Sequence, residues 1–299
     1  MKTWNLHPIL KVVFTLLIIS ALSIASQTPF LPLMSRFPEF FRSRGGLLLM
    51  QAVSSAISFI GGAWLCAWLF SPRPSELLPA QRVKKRVLGV ALGGFLCALP
   101  TVSLLQIWNE SMTLPAGYEE VQALIESMEK AIAETTATMV GGTSVGALLV
   151  NLLVIALIPA IGEEMTFRGV MQRTLQQRYG LHTAVWATAI LFSTAHYQFM
   201  GFFPRALLGL LLGYTAAWTG SLRASTLLHF ANNALVVIGY WLCNRHGMDI
   251  EAADNASNAL VMQGVYPALA LFCGTLMAAH YLRMRYAANQ SQSDDAASA

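Results

Sequence analysis

From Ser144 to Ile161 the chain carries no charge, and it then reads Gly162-Glu163-Glu164-Met165-Thr166-Phe167-Arg168-Gly169. An apolar run of that length can cross a hydrocarbon core. A carboxylate at or near membrane depth is costly unless paired, so the tandem glutamates are candidate functional groups. In a helix Glu164 and Arg168 stand four apart on one face, acid first, which is the order that favours pairing. Glu163 points about 100° away from that pair. Arg168 can therefore hold Glu164 ionised while Glu163 is left free for chemistry.

The same bias runs through the whole chain. Charged residues make up 11% and hydrophobic residues 55%, with a mean hydropathy of +0.54. A soluble chain carries about 25% charge, so this one is expected to be solvated by lipid. The net charge of +4 is gathered in short loops, which reads as membrane orientation and excludes nucleic acid as a partner. Cys66, Cys97, Cys243 and Cys273 all lie in apolar runs without CxxC spacing, so neither a disulfide framework nor a thiolate metal site is indicated.

Hydropathy predicts an all-α, polytopic membrane helical bundle of about eight transmembrane helices, with the catalytic residues on buried helices. The spans are expected near Pro8–Ser26, Gly46–Phe70, Val87–Trp108, Ser144–Ile161, His182–Phe199, Pro204–Trp218, Ala224–Cys243 and Gly264–Leu282. Lys2, Lys11 and the apolar stretch Val12–Ala25 resemble a signal peptide, but an uncleaved first span is the expectation, because more spans follow. Arg73, Arg82, Lys84, Lys85 and Arg86, then Arg168, Arg173 and Arg178, then Arg223, Arg283 and Arg285 fall on one side of eight spans. Both termini are therefore expected in the cytoplasm, with Arg36, Arg42 and Arg44 as exceptions. The segment Gly117–Thr138 is amphipathic, with Val121, Leu124, Ile125, Met128 and Ile132 at helical spacing and glutamates facing elsewhere. Such a helix can pack on its own bundle, project outside or cover a substrate entrance. The polar tail Ala287–Ala299 is expected to be disordered.

Two later spans carry the remaining unusual residues. Phe192-Ser193-Thr194-Ala195-His196 ends one apolar helix in a histidine, and His229 and Asn233 share a face of another. Polar groups in lipid must find partners, and the cheapest partners within one bundle are each other, so these residues should converge on a wet cavity. Glutamate beside histidine can activate water as a general base. A second histidine and an amide can donate to a developing oxyanion, a term often worth about 2.7–4 kcal/mol per donor. Glu163, His196 and His229 could alternatively hold zinc, although no HExxH is present. Either way the chemistry indicated is hydrolysis of an amide by water.

Glu163-Glu164-x-x-x-Arg168, Phe192-x-x-x-His196 and His229-x-x-x-Asn233, in that order on successive spans, resemble the signature of the CAAX prenyl protease and bacteriocin-processing family, which includes abortive-infection-type members. The resemblance runs from Ala156 to about Tyr240. It implies an intramembrane endopeptidase in which Glu163 is the catalytic carboxylate and His196 its partner in activating water. His229 and Asn233 would form the oxyanion hole, and Glu164 with Arg168 would orient Glu163. It also implies a metal-free mechanism, with no cofactor, acting on a peptide or membrane-protein substrate. The expected organisation is an N-terminal set of transmembrane helices with the acidic segment (1–143), a CAAX-protease-like core (144–245), and a last span with a polar tail (246–299). An integral, multi-pass protein of a bacterial plasma membrane is the expected setting. Two other classes fit less of the pattern. A non-catalytic immunity or scaffold protein has no need of every site residue, and a proton-coupled transporter would place its polar groups along a path through the bilayer.

Overall fold

The computed structural model describes residues 4–249, 264, 271–272 and 274–286, and among them every regular element is helical. Eight long elements organise the chain: α1 (Pro8–Gln27), α2 (Arg44–Phe70), α3 (Lys85–Glu110), α4 (Glu119–Val140), α5 (Val145–Tyr179), α6 (Leu181–Thr194), α7 (Phe202–Thr219) and α8 (Leu222–His246). Short helices at Phe30–Arg36, Pro38–Arg42 and Pro74–Leu77 connect them. The ends follow from local chemistry. Ser144 Oγ accepts from the Ala147 N–H at the start of α5, and Ser221 Oγ accepts from the Arg223 N–H at the start of α8. Gly220, at φ +68°, closes α7 in the left-handed conformation that a residue without Cβ takes at no steric cost.

Six helices among the described residues are long and apolar enough to cross a membrane, against the eight spans expected. The two remaining expected spans stand differently. The span expected at His182–Phe199 is the helix Leu181–Thr194, about 21 Å long, because the chain turns out of the helix before His196. The span expected at Gly264–Leu282 lies partly outside the described residues; its described part, 274–286, is helical and packs on α3, with Thr275 Oγ1 donating to Gly94 O at 3.1 Å. Cys273, the tail 287–299 and most of the acidic loop after Asp249 also lie outside them.

The fourth span departs furthest from expectation. The helix does not stop at Ile161 but runs 35 residues to Tyr179, with the glutamates near its middle. The charged turn stays helical with Glu164 and Arg168 paired inside the bundle. Arg168 is 1% exposed and so belongs to the core, not to the basic loop in which charge counting puts it. Two stretches of α5, Leu152–Leu157 and Glu164–Gln172, are wound as π-helix, and the second begins on Glu164. Such windings recur at functional sites, where they re-aim side chains.

The core that surrounds α5 joins both halves of the chain. Val12 of α1 is buried with Phe167, Met171 and Leu175 of α5 and with Ala184 and Phe192 of α6. Helices α6 and α7 approach closely because Gly209 and Gly213 lack side chains. A Cβ on Gly209 would come within 2.9 Å of the Ala189 backbone, and one on Gly213 within 2.9 Å of Gln172 Oε1. The small-xxx-small pair therefore packs helices, as its spacing indicates. Gly209→Ala is expected to cost about 1–3 kcal/mol by overpacking. Gly239→Ala, with nothing within 4 Å of the new Cβ, should be neutral or slightly stabilising. Thermal unfolding of the two variants in detergent checks the order.

Candidate active site

The middle of α5 is built around one ion pair. Arg168 Nη1 donates to Glu164 Oε1 at 2.7 Å, with both side chains buried. Arg168 Nη2 donates to Gly209 O at 3.2 Å, which the missing Cβ of that glycine makes reachable. The guanidinium also lies 4.4 Å over the Phe192 ring. One turn further on, buried Gln172 repeats the device, its Nε2 donating to Gly213 O at 3.0 Å. Glu164, Arg168 and Gln172 thus form one polar stripe on the face of α5 turned to α7. Gln172 escaped the sequence reading, although its position four residues beyond Arg168 carried the signal.

The histidine of α8 joins the two glutamates. His229 Nδ1 donates to Glu164 Oε1 at 3.1 Å, and Nε2 stands 3.7 Å from Glu163 Oε2. The first contact is a hydrogen bond; the second is longer than one. Glu163 Oε2 is buried and has no protein hydrogen-bond partner, so the carboxylate is held in place without being consumed. Glu164 Oε1 is thus bound by Arg168 and His229, while Oε2 of both glutamates is buried without a hydrogen-bond partner among the described residues.

His196 follows the end of α6. Its Nδ1 lies 2.7 Å from the Phe192 carbonyl, which can only accept, so Nδ1 carries the proton. In the neutral ring Nε2 is then the basic nitrogen. Phe192 is the common neighbour, edge-on to His196 at 4.9 Å and to His229 at 5.7 Å between ring centroids. His196 and Glu163 interact electrostatically, although no hydrogen bond joins them. Asn233 Oδ1 accepts from Asn232 Nδ2 at 3.3 Å, and Asn233 makes no hydrogen bond to Glu163, His196 or His229 among the described residues. Glu163, Glu164, Arg168 and His229 therefore form one contacting group, His196 adjoins it through Phe192 and the field of Glu163, and Asn233 stands one helical turn beyond His229.

Among the described residues no three His, Cys, Asp or Glu side chains converge closely enough to hold a metal ion. A separate cavity of about 470 Å³ lies on another flank of α5 and is lined by apolar side chains including Ile161, Met165, Leu222 and Phe230.

The fold and the buried polar group together define an integral multi-pass membrane protein with contacting carboxylate and histidine side chains inside one bundle. Residues 145–235 match the model of the family described as Type II CAAX prenyl endopeptidase Rce1-like. The three motifs read from the sequence all fall inside that segment. A curated relative, the uncharacterized protein YpbD of Bacillus subtilis (strain 168), is 28% identical over 89 residues, 28% of this chain and 43% of that protein. The chain thus spans less than half the length of the curated relative it matches. No solved structure matches the chain significantly.

Removing one partner of a buried ion pair strands the other charge, at a cost of about 3–5 kcal/mol. Arg168→Leu should therefore lower the unfolding temperature sharply, and Glu164→Gln in the same chain should recover much of the loss. Thermal unfolding of the single and double variants in detergent measures both.

Proposed function

We propose that the protein is an intramembrane endopeptidase that hydrolyses peptide bonds with a water activated by Glu163. The observation that carries this reading is the buried Glu163 Oε2, which has no protein hydrogen-bond partner and stands 3.7 Å from His229 Nε2, beside a Glu164 whose Oε1 is bound by both Arg168 and His229. A carboxylate so placed can take a proton from water, and His196, with Nε2 as its basic nitrogen, can help position that water. General-base assistance of this kind contributes about 10²–10⁴-fold.

In the proposed step the water oxygen attacks the scissile carbonyl carbon and its proton passes to Glu163. The tetrahedral oxyanion is met by Asn233 and His229. Asn233 Oδ1 is engaged by Asn232, which leaves Asn233 Nδ2 as a free donor and favours Asn233 over Asn232 for this role. His229 Nδ1 is committed to Glu164, so Nε2 can donate to an oxyanion when the ring carries both protons. Glu163 then returns the proton to the leaving nitrogen, the C–N bond breaks, and the products are a new carboxyl terminus and a new amine. Glu164 and Arg168 hold His229 and the helix that carries Glu163.

The substrate class is a peptide or a membrane-associated protein. The family description of residues 145–235 supports a CAAX-protease type of reaction. The basic residues between α2 and α3 and in the short loops support a cytoplasmic face for both termini and for the site, in a bacterial plasma membrane. No metal is required in this scheme.

Wild type and Glu163→Gln, purified in detergent, should be incubated with a peptide library and read by mass spectrometry with and without a chelator. Wild type should cleave in both conditions, and Glu163→Gln should lose at least about 10²-fold. Equal cleavage by the two proteins would remove Glu163 from the mechanism. Cleavage lost with the chelator and regained with zinc would move the reaction to a metal.

A further inference from the structure

His196 lies on the seven-residue connection between α6 and α7, and that connection is held by side chains from outside the Rce1-like segment. The connection leaves α6 through turns in which the His196 and Tyr197 N–H groups donate to Ser193 O and Thr194 O. Tyr197 sits at φ +54°, a left-handed conformation unusual for a large side chain, and is itself exposed. Nothing in residues 195–197 explains why the backbone stays in this shape.

The restraint comes from α3 and α4. Asn109, fully buried near the end of α3, donates from Nδ2 to Phe199 O at 3.0 Å and accepts at Oδ1 from the Phe203 N–H, also at 3.0 Å. Gln106 Nε2, one turn earlier, donates to Met200 O at 3.1 Å. From α4 the Glu129 carboxylate accepts twice, at Oε1 from the Met200 N–H at 3.1 Å and at Oε2 from Gln198 Nε2 at 3.3 Å. Arg205 of α7 binds the other end of that amide, Nη2 donating to Gln198 Oε1 at 2.8 Å. Four of the backbone groups from Phe199 to Phe203 are thus satisfied by side chains of α3 and α4. Helix α4 is itself anchored: Arg44 Nε donates to Met139 O at 3.2 Å, and buried Asn151 of α5 donates to Val140 O at 3.1 Å. The mid-helix glutamate and the catalytic helix are therefore parts of one frame.

We infer that Glu129, together with Asn109, is a positioning residue for His196, acting through Gln198 and Met200 across the connection between α6 and α7. The inference rests on the endopeptidase reading above for its kinetic consequence, but not for its structural one. It gives the acidic amphipathic helix a role in the reaction: α4 fixes the histidine that aligns the water, and Glu129 touches neither substrate nor water. Of the two residues Glu129 is the better probe, because it is half-buried and its removal leaves no cavity in the core.

The test uses full-length protein in detergent, with Glu129→Ala, Glu129→Gln and, as a control, Glu126→Ala on an exposed face of the same helix. Misplacing a catalytic group by about 1 Å can cost 10²-fold, so Glu129→Ala is expected to lower kcat by about 10- to 100-fold with KM within about twofold. Glu129→Gln keeps an oxygen acceptor for the Met200 N–H and should recover most of that loss, while Glu126→Ala should match wild type. Independently of activity, hydrogen exchange of residues 195–203 should be about tenfold faster in Glu129→Ala and unchanged in α5 around Glu163. Unchanged exchange in 195–203 would overturn the inference. So would a change in KM alone, or a Glu129→Gln variant as impaired as Glu129→Ala. Should Glu129→Ala fail to fold, Gln198→Ala removes one of the same contacts and should show the same exchange and kcat changes. If wild type and Glu163→Gln cleave alike while the exchange effect is present, the endopeptidase reading fails and the positioning frame stands.

Discussion

The buried pair between Glu164 and Arg168 is the interaction on which the rest of this structure depends. Neither charge could stay ionised alone at this depth, because the desolvation cost per ion is several kcal/mol even after relaxation. The fold meets that cost by distributing Arg168 over three contacts: a carboxylate, the Gly209 carbonyl and the face of Phe192. Each contact dictates something elsewhere. Glycine at 209 exposes the carbonyl and lets α7 approach α6. Phe192 brings the end of α6, with its histidine, against the same site. The pair is thus a register mark that fixes how three helices meet.

His229 turns that structural pair into a functional arrangement. By spending Nδ1 on Glu164 it orients Nε2 toward Glu163, so one imidazole contacts both adjacent glutamates. The sequence resemblance implies the oxyanion hole as the role of His229. The contacts add a second role, a bridge between the paired and the free carboxylate. In the proposed mechanism Glu163 can serve as the base because Glu164 holds the nearby cation.

Much of this was legible in the sequence, for reasons that can be named. The i, i+4 spacing of Glu164 and Arg168 and of Phe192 and His196 fixes which side chains share a face, and helices obey that spacing whatever surrounds them. The helical class and most of the long apolar spans followed from hydropathy for the same reason. What sequence spacing could not give was anything that depends on contacts between distant segments. The continuation of α5 to Tyr179 depends on His229, 65 residues after Glu164, and on Gly209. The burial of Arg168 reversed its reading as a loop charge. The contacts of Asn109 and Glu129 carried no signal in the sequence, because most of their partners are backbone groups on a distant segment. The connection that follows His196 is of the same kind, since it is held by bonds made from α3 and α4.

The central claim is that the two glutamates divide their work, one stabilising and one reacting. Side-by-side thermal unfolding of Glu163→Gln and Glu164→Gln, in detergent at neutral pH, tests it most directly. Glu164→Gln should unfold several degrees below wild type, since it weakens the partner of a buried arginine. Glu163→Gln should unfold at or above the wild-type temperature, since it removes a buried charge that no protein hydrogen bond compensates. The reverse order, with Glu163→Gln the less stable protein, would contradict the division.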